Sequence, residues 1–352
     1  MELDKTTKLI VERLGSDAQR FSGKTVLLGG GAGFLGKHFL SVFQKLNESV
    51  LDAPCSVISV DNYITGSRYF DDKITHDPNI TQVRADVTHP LPIRTDIDFI
   101  IHGAGIASPV YYMRYPLETI ESAVHGTRNL LELAARNPKL EGFLFFSSSE
   151  IYGDPDPRAI PIKETYFGNV STVGPRACYD ESKRLGETLC TIFHEQKNVP
   201  TKIVRPFNVF GPGMGHNDRR VIPMFAYQAL NARAIPVHGT GQQTRTFCYI
   251  SDAIYGFLLT LLKGKSGEAY NIGNPENEIT MLQLAEMFPR LVDGASFHTV
   301  DYPSTYPAGE PNRRCPDISK ATEAFGYEFQ VSVEDGLARF IDWAKTEPAY
   351  LD

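Results

Sequence analysis

Short apolar runs, several with β-branched residues, recur along the chain, and stretches with helical spacing lie between them. Thr25–Leu28, Ser56–Val60, Ile80–Val87, Asp98–His102, Gly142–Phe146 and Thr201–Arg205 have the length and continuity of buried parallel strands. Lys37–Gln44 and Tyr179–Gln196 read as helices, as does the stripe Leu117, Ile120, Val124, Leu130, Leu131 and Ala134. Strands alternating with helices predict an α/β fold with a doubly wound parallel sheet. Residues 1–20 read as a helical extension ahead of it, and the sheet domain is expected over 21–205, with segments near 235–265 returning to it. From Pro206 onward, glycine and proline punctuate shorter elements, with helices near Val221–Asn231, Asp252–Leu262, Thr280–Phe288 and Val333–Lys345. That texture predicts a smaller mixed α/β lobe over 206–352, set above the strand ends to hold a substrate.

The first strand runs into Gly30-x-x-Gly33-x-x-Gly36, with Phe34 and Leu35 between the last two glycines, and then into a helix. Strand, glycine turn and helix in that order gather backbone amides and a helix N-terminus at one point, an anion site shaped for a pyrophosphate. Such a loop at the first strand of this sheet is the dinucleotide fingerprint of a Rossmann domain. Asp61 closes the second strand, where a carboxylate accepts hydrogen bonds from ribose hydroxyls and repels a 2′-phosphate. The expected cofactor is therefore NAD. The third strand also ends in an acid, Asp86, followed by Val87, and the fourth runs into the small-residue loop Gly103-Ala-Gly105.

Composition narrows the class. Hydrophobic residues make up 42% and charged residues 22%, as in ordinary globular proteins. A net charge of -7 with no lysine–arginine run argues against nucleic acid as partner. No apolar stretch approaches membrane-span length, and the N-terminus lacks the apolar core and cleavage site of a signal peptide. Five scattered cysteines (Cys55, Cys178, Cys190, Cys248, Cys315) form no C-x-x-C pair. They read as reduced, buried thiols in a cytoplasmic protein, with no metal site.

After the fifth strand comes Tyr179-Asp-Glu-Ser-Lys183, which puts a phenol and an ammonium on one helix face. A nearby cation favours phenolate, so Tyr179 is expected to titrate below its ordinary value and act as a general base toward a sugar hydroxyl. Ser148, just past the fifth strand, offers a hydroxyl to the same proton.

Together these features resemble the extended short-chain dehydrogenase/reductase family of nucleotide-sugar epimerases and dehydratases, from about residue 22 to the C-terminal helix. Within it, the chain is most similar to the UDP-glucuronate decarboxylases. The motifs carrying that likeness are Asp61-Asn-Tyr-Ile-Thr-Gly66, Ser148-Ser-Glu-Ile-Tyr-Gly-Asp-Pro155, Gly174-Pro-Arg-Ala-Cys-Tyr-Asp-Glu181, Gln243-Thr-Arg-Thr-Phe247 and Arg314-Cys-Pro-Asp-Ile318. The resemblance implies catalytic roles for Ser148, Glu150, Tyr179, Lys183 and Arg245; because Glu150 must not repel a substrate carboxylate, it is expected to work through water or in a protonated state. It implies cofactor contacts from Asn62 and Gly66 as well as the glycine loop, Asp61, Asp86, Val87, Tyr179 and Lys183. Ser149, Asn208, Arg220, Arg245 and Arg314 are implied as substrate contacts, the last three as phosphate- or sugar-facing guanidiniums. A dehydratase of this kind would carry an acid at position 149, where a serine cannot readily protonate the departing hydroxyl. Ala123, Gly213 and His238 depart from the family pattern, and the last leaves uracil recognition open. The implied reaction is decarboxylation of UDP-glucuronate to UDP-xylose through a 4-keto intermediate. The alternative is C4 or C5 epimerisation through the same transient oxidation. The resemblance also implies a homodimer paired through the 117–136 and 179–196 helices, with Leu185, Leu189 and Phe193 in the interface.

Overall fold

The computed structural model describes residues 2–67, 70, 72–218, 220–302 and 312–351. Seven parallel strands form the central sheet: β1 Thr25–Gly29, β2 Ser56–Asp61, β3 Ile80–Arg84, β4 Phe99–His102, β5 Gly142–Phe146, β6 Thr201–Pro206 and β7 Glu268–Ile272. Their order is β7-β6-β5-β4-β1-β2-β3, with in-register parallel pairing throughout. Every residue of β4 and β5 is buried, because helices cover both faces; this is why those strands read as continuous apolar runs without alternation. The strand order reverses between β1 and β4, and ligands of such sheets bind in the crevice outside that switch point. The seventh strand comes from Glu268–Ile272, far along the chain.

Five helices frame the sheet: α1 Glu2–Leu14, α2 Phe34–Ser49, α3 Thr127–Ala135, α4 Ala177–Lys197 and α5 Ile250–Lys263. Phe39, Phe43 and Leu46 of α2 share one core with Phe257 and Leu261 of α5. On the other face, Leu130 and Leu131 of α3 and Cys190 of α4 pack with Phe143, Phe145 and Ile203. Ile10 and Leu14 of α1 join the first core, and Arg13 pairs with buried Asp252 and donates to the Glu328 carbonyl. The initial helix is thereby fastened to both the sheet layer and the C-terminal segment.

The stripe over 117–136 is not one helix. It forms Pro116–Glu121, a π turn at Ser122–Gly126, and then α3. A Cβ at Gly126 would lie 2.8 Å from the Val87 Cγ2, so the chain passes Val87 at a distance only glycine allows. The later lobe contains a small mixed sheet in which Thr244–Thr246 lies between Glu278–Thr280 and Arg313–Arg314. Its register sets Arg314 beside Arg245. The helix Met281–Leu291 starts with a capping box in which Thr280 and Gln283 satisfy each other's backbone amides.

Candidate active site

The glycine loop turns at Gly30, whose φ of 84° and close approach exclude a side chain: a Cβ there would lie 2.7 Å from the Gly103 carbonyl oxygen. Gly33 then caps α2 without any side-chain hydrogen bond, and the first turn of α2 contains no acid. Its amides are left to an external anion, the condition a pyrophosphate needs. Asp61 stands at the end of β2, its Oδ2 accepting from the Ala32 amide at 3.0 Å and its Oδ1 from the Tyr63 amide at 2.7 Å. Burial raises its pKa, and those two amide bonds work against the rise. Asn62 donates to Asp86 at 2.9 Å. Burial pushes Asp86 up, but the bonds from Asn62 and Thr88 outweigh it and leave its carboxyl below the usual value. Gly30, Gly33, Asp61, Asn62, Gly66, Asp86 and Val87 line one small cleft of about 100 Å³. The donors, the acceptor and the uncapped helix fit a dinucleotide.

Gly103 and Gly105 join this cleft to a larger one of about 930 Å³, where Phe34 and Leu35 meet Ser148, Ser149, Glu150, Tyr179, Lys183, Asn208, Arg220, Arg245 and Arg314. Every catalytic and substrate residue expected from sequence lines this one space. Tyr179 sits in the first turn of α4, and its ring stacks on Tyr112 with centroids 5.4 Å apart. Lys183 lies one turn on, donates to the Phe146 carbonyl at 2.7 Å, and has its Nζ 5.8 Å from the Tyr179 ring centre. Burial lowers Lys183 to about 8.

The expected depression of Tyr179 is not found. Its pKa is pushed up to about 12, first by burial and further by the Glu150 and Asp180 charges, while the hydrogen bond with Ser148 opposes the rise. Desolvation disfavours the phenolate more than the Ser148 hydrogen bond and the Arg220 charge favour it, and Lys183 is anchored on a carbonyl.

At Glu150 the balance runs the other way. It follows Ser148, whose Oγ accepts from the Glu150 amide at 3.2 Å, in a turn of 3₁₀ helix. Two guanidiniums grip its carboxylate: Arg176 on Oε2, and Arg314 on both oxygens, with Arg314 Nη2 to Oε2 at 3.0 Å. Burial pushes the carboxyl up, but the Arg314 and Arg176 charges outweigh it and hold it at about 2. Held there, Glu150 is ionised near neutral pH, which leaves the water-mediated role of the two expected for it and disfavours the protonated one.

The remaining polar residues are also occupied. Arg314 is 1% exposed and committed to Glu150 and Ser149, which turns it away from the phosphate role expected for it. Arg220 grips Asp218 with two bonds of 2.6 Å at the cleft wall. Asn208 adopts a φ of 38° and donates to the Thr246 carbonyl at 2.8 Å. Arg245 is buried, with its Nη1 on the Thr244 carbonyl at 2.8 Å.

Two contributors escaped sequence reasoning. Arg176 stands inside a motif already singled out, and its clamp on Glu150 needs the loop from Gly174 folded over the turn at 149–152. Tyr112, from the helix Pro109–Arg114, carries no signal beyond being one of several tyrosines. Among the cysteines, Cys178 is half-exposed beside Tyr179, unlike the four buried ones.

The model of the NAD dependent epimerase/dehydratase family matches residues 26–273. UDP-glucuronic acid decarboxylase 3 from Arabidopsis thaliana is 42% identical over 312 residues, spanning 89% of this chain and 86% of that protein. A dTDP-glucose 4,6-dehydratase from Streptomyces venezuelae, solved with NAD bound, superposes with a TM-score of 0.79 at 25% identity, covering 93% and 99% of the two chains. A UDP-glucuronic acid 4-epimerase from Bacillus cereus, solved with UDP-glucuronic acid and NAD, gives a TM-score of 0.76 at 27% identity, covering 91% and 99%. The chain belongs to the NAD dependent epimerase/dehydratase family.

Proposed function

We propose that this protein is an NAD-dependent UDP-glucuronate decarboxylase, forming UDP-xylose through a 4-keto sugar. The single observation that carries the reading is the Glu150–Arg176–Arg314 cluster beside Tyr179, with Arg245 in the next strand. It surrounds the sugar end of the cleft with more cations than one glutamate neutralises, as an acidic sugar requires. The substantial identity to the Arabidopsis decarboxylase supports the same conclusion. Gly30, Gly33, Gly36 and the start of α2 would hold the NAD pyrophosphate, and Asp61 the adenosine ribose. Bound NAD would supply a reversible hydride acceptor for C4 and a formal positive charge on its nicotinamide ring.

Tyr179 takes the proton from the C4 hydroxyl, with Ser148 hydrogen-bonded to it. A ketone at C4 is β to the C6 carboxylate, so loss of carbon dioxide sends its electron pair into that ketone. Ser148 and Tyr179 then hydrogen-bond the enolate oxygen. Glu150, ionised, accepts hydrogen bonds from a sugar hydroxyl or a water and cannot itself act as an acid. Serine at 149 leaves the dehydratase route without its proton donor. Mass spectrometry of the product from UDP-glucuronate tests the reading: a nucleotide pentose is expected, and an unchanged nucleotide hexuronate mass contradicts it.

Asp61 sets cofactor choice. Protein purified without added nucleotide should release NAD(H) on denaturation, and calorimetry should give weaker binding for NADP than for NAD. Tighter NADP binding would overturn the role given to this carboxylate.

A homodimer belongs to the same proposal. Leu117 (69% exposed), Ile120, Leu185 and Ile192 form an uncovered apolar face on Pro116–Glu121 and α4. Leu189 and Phe193, expected in the interface, pack inward against the sheet core. Light scattering at micromolar concentration should return twice the chain mass of 39.2 kDa, and Leu117→Glu with Leu185→Glu should return it once. A monomeric wild type would contradict the pairing. All five cysteines are free and no helix among the described residues is long and apolar enough to cross a membrane; the thiols support a reducing, cytoplasmic setting. A nucleotide-sugar lobe over 206–352, apart from α5 and β7, which return to the sheet layer, is likewise proposed, contributing Asn208, Arg220 and Arg245 directly and Arg314 through Glu150.

A further inference from the structure

Asp180, the residue after Tyr179, has a side chain the mechanism above leaves unused. It is 6% exposed, and its Oδ1 has no hydrogen-bond partner among the described residues. Its Oδ2 lies 3.8 Å from Arg176 Nε, while the far end of the same guanidinium holds Glu150. One arginine is thus shared by two carboxyls, half-buried Glu150 gripped closely and buried Asp180 at arm's length.

We infer that Asp180 is a positioning residue whose charge state sets how firmly Arg176 holds Glu150, and with it how well the cleft binds an acidic sugar. Four elements face it. Glu150 comes from the 149–152 turn, Arg314 from the small mixed sheet, Tyr112 from the 109–114 helix, and Arg176, Cys178, Tyr179 and Glu181 from its own helical turn. Burial, then the Glu150 charge, push Asp180 up to about 7, against the pull of Arg176 and Arg314. Protonated Asp180 leaves Arg176 to Glu150, and the cluster of Glu150, Arg176, Arg314 and Asp180 carries one net positive charge. Ionised Asp180 competes for Arg176, and that surplus charge is gone. An anionic sugar favours the first state, so it binds more tightly below the Asp180 midpoint than above it. If the bound anion raises that midpoint by about one pH unit, affinity falls about tenfold across the window.

This inference rests on the acidic-sugar reading for its consequence but not for its coupling, and the two are measured separately. In the substrate-free protein, aspartate labelled with ¹³C at Cγ should show a resonance titrating near neutrality that Asp180→Asn removes. In Glu150→Gln the same resonance should titrate lower, because the charge holding it up is gone and Arg176 is released toward it. A midpoint unmoved by Glu150→Gln would overturn the coupling. For binding without turnover, calorimetry on NAD-loaded Tyr179→Phe should show UDP-glucuronate weakening about tenfold from pH 6 to 8.5. UDP-glucose should stay constant, and adding Asp180→Asn should flatten the UDP-glucuronate slope at its tighter end. A slope that persists with Asp180→Asn, or one shared by UDP-glucose, would contradict the role. UDP-glucuronate binding no better than UDP-glucose at pH 6 would instead sink the decarboxylase reading, and the resonance shift alone would then decide the coupling.

Discussion

Replacing Tyr179 by phenylalanine is expected to lower kcat about 10²- to 10⁴-fold while leaving NAD content unchanged. The aromatic ring keeps its stack on Tyr112, and only the bond with Ser148 and the proton acceptor disappear. The elevated pKa of about 12 makes the position more telling. A phenol so protected from water stays protonated at neutral pH until more positive charge arrives. The base is therefore expected to become competent with the dinucleotide in place and to be inert without it. Absorbance of the nucleotide released on denaturation, set beside steady-state rates, separates loss of chemistry from loss of cofactor. A variant retaining more than a tenth of wild-type kcat would show that another group takes the C4 proton.

Replacing Arg314 by methionine is expected to give the largest loss of stability. Arg314 is 1% exposed and makes two of the bonds on the Glu150 carboxylate. Removing it leaves the half-buried Glu150 charge with Arg176 as its remaining clamp. Breaking a fully buried pair costs about 3–5 kcal/mol, and the loss here is expected below that ceiling because Glu150 is half-buried and keeps Arg176. Neutralising that partner should return much of the loss, so Glu150→Gln with Arg314→Met is expected to melt above Arg314→Met alone. Denaturant unfolding of the two single variants and the double variant measures the coupling directly. Additive losses in the double variant would mean that the two side chains do not depend on each other. Both Glu150 variants should lose activity, since an amide cannot draw in two guanidiniums as a carboxylate does.

The sheet and the cofactor cradle were legible because each depends on local pattern. Continuous apolar runs mark strands covered on both faces, and of the three glycines of the loop, Gly30 and Gly36 sit where backbone crowding leaves no room for a side chain. Asp61 follows from its place at a strand end. The catalytic cluster was legible as a set of residues but not as a set of charges. Tyr179 and Lys183 sit one helical turn apart, as their spacing requires, yet burial rather than the neighbouring ammonium decides the phenol's pKa. Burial depends on Tyr112 folding over the ring from another helix, and no spacing rule reports that. Arg314 illustrates the same limit. The family resemblance implies a phosphate- or sugar-facing guanidinium there, whereas the small mixed sheet turns its side chain inward to Glu150, distant in sequence. The apolar stripe on α4 likewise did not reveal which residues face the core. Leu189 and Phe193 face inward, while Leu185 and Ile192 lie on the surface.

The central claim is loss of the C6 carboxylate after transient oxidation at C4. It is tested most directly with UDP-glucuronate carrying ¹³C at C6, incubated with the protein and NAD and followed by NMR. Labelled bicarbonate should grow in step with a new pentose anomeric signal, and Tyr179→Phe should suppress both together. A labelled hexuronate of altered configuration, with no bicarbonate, would contradict decarboxylation and identify the protein as an epimerase.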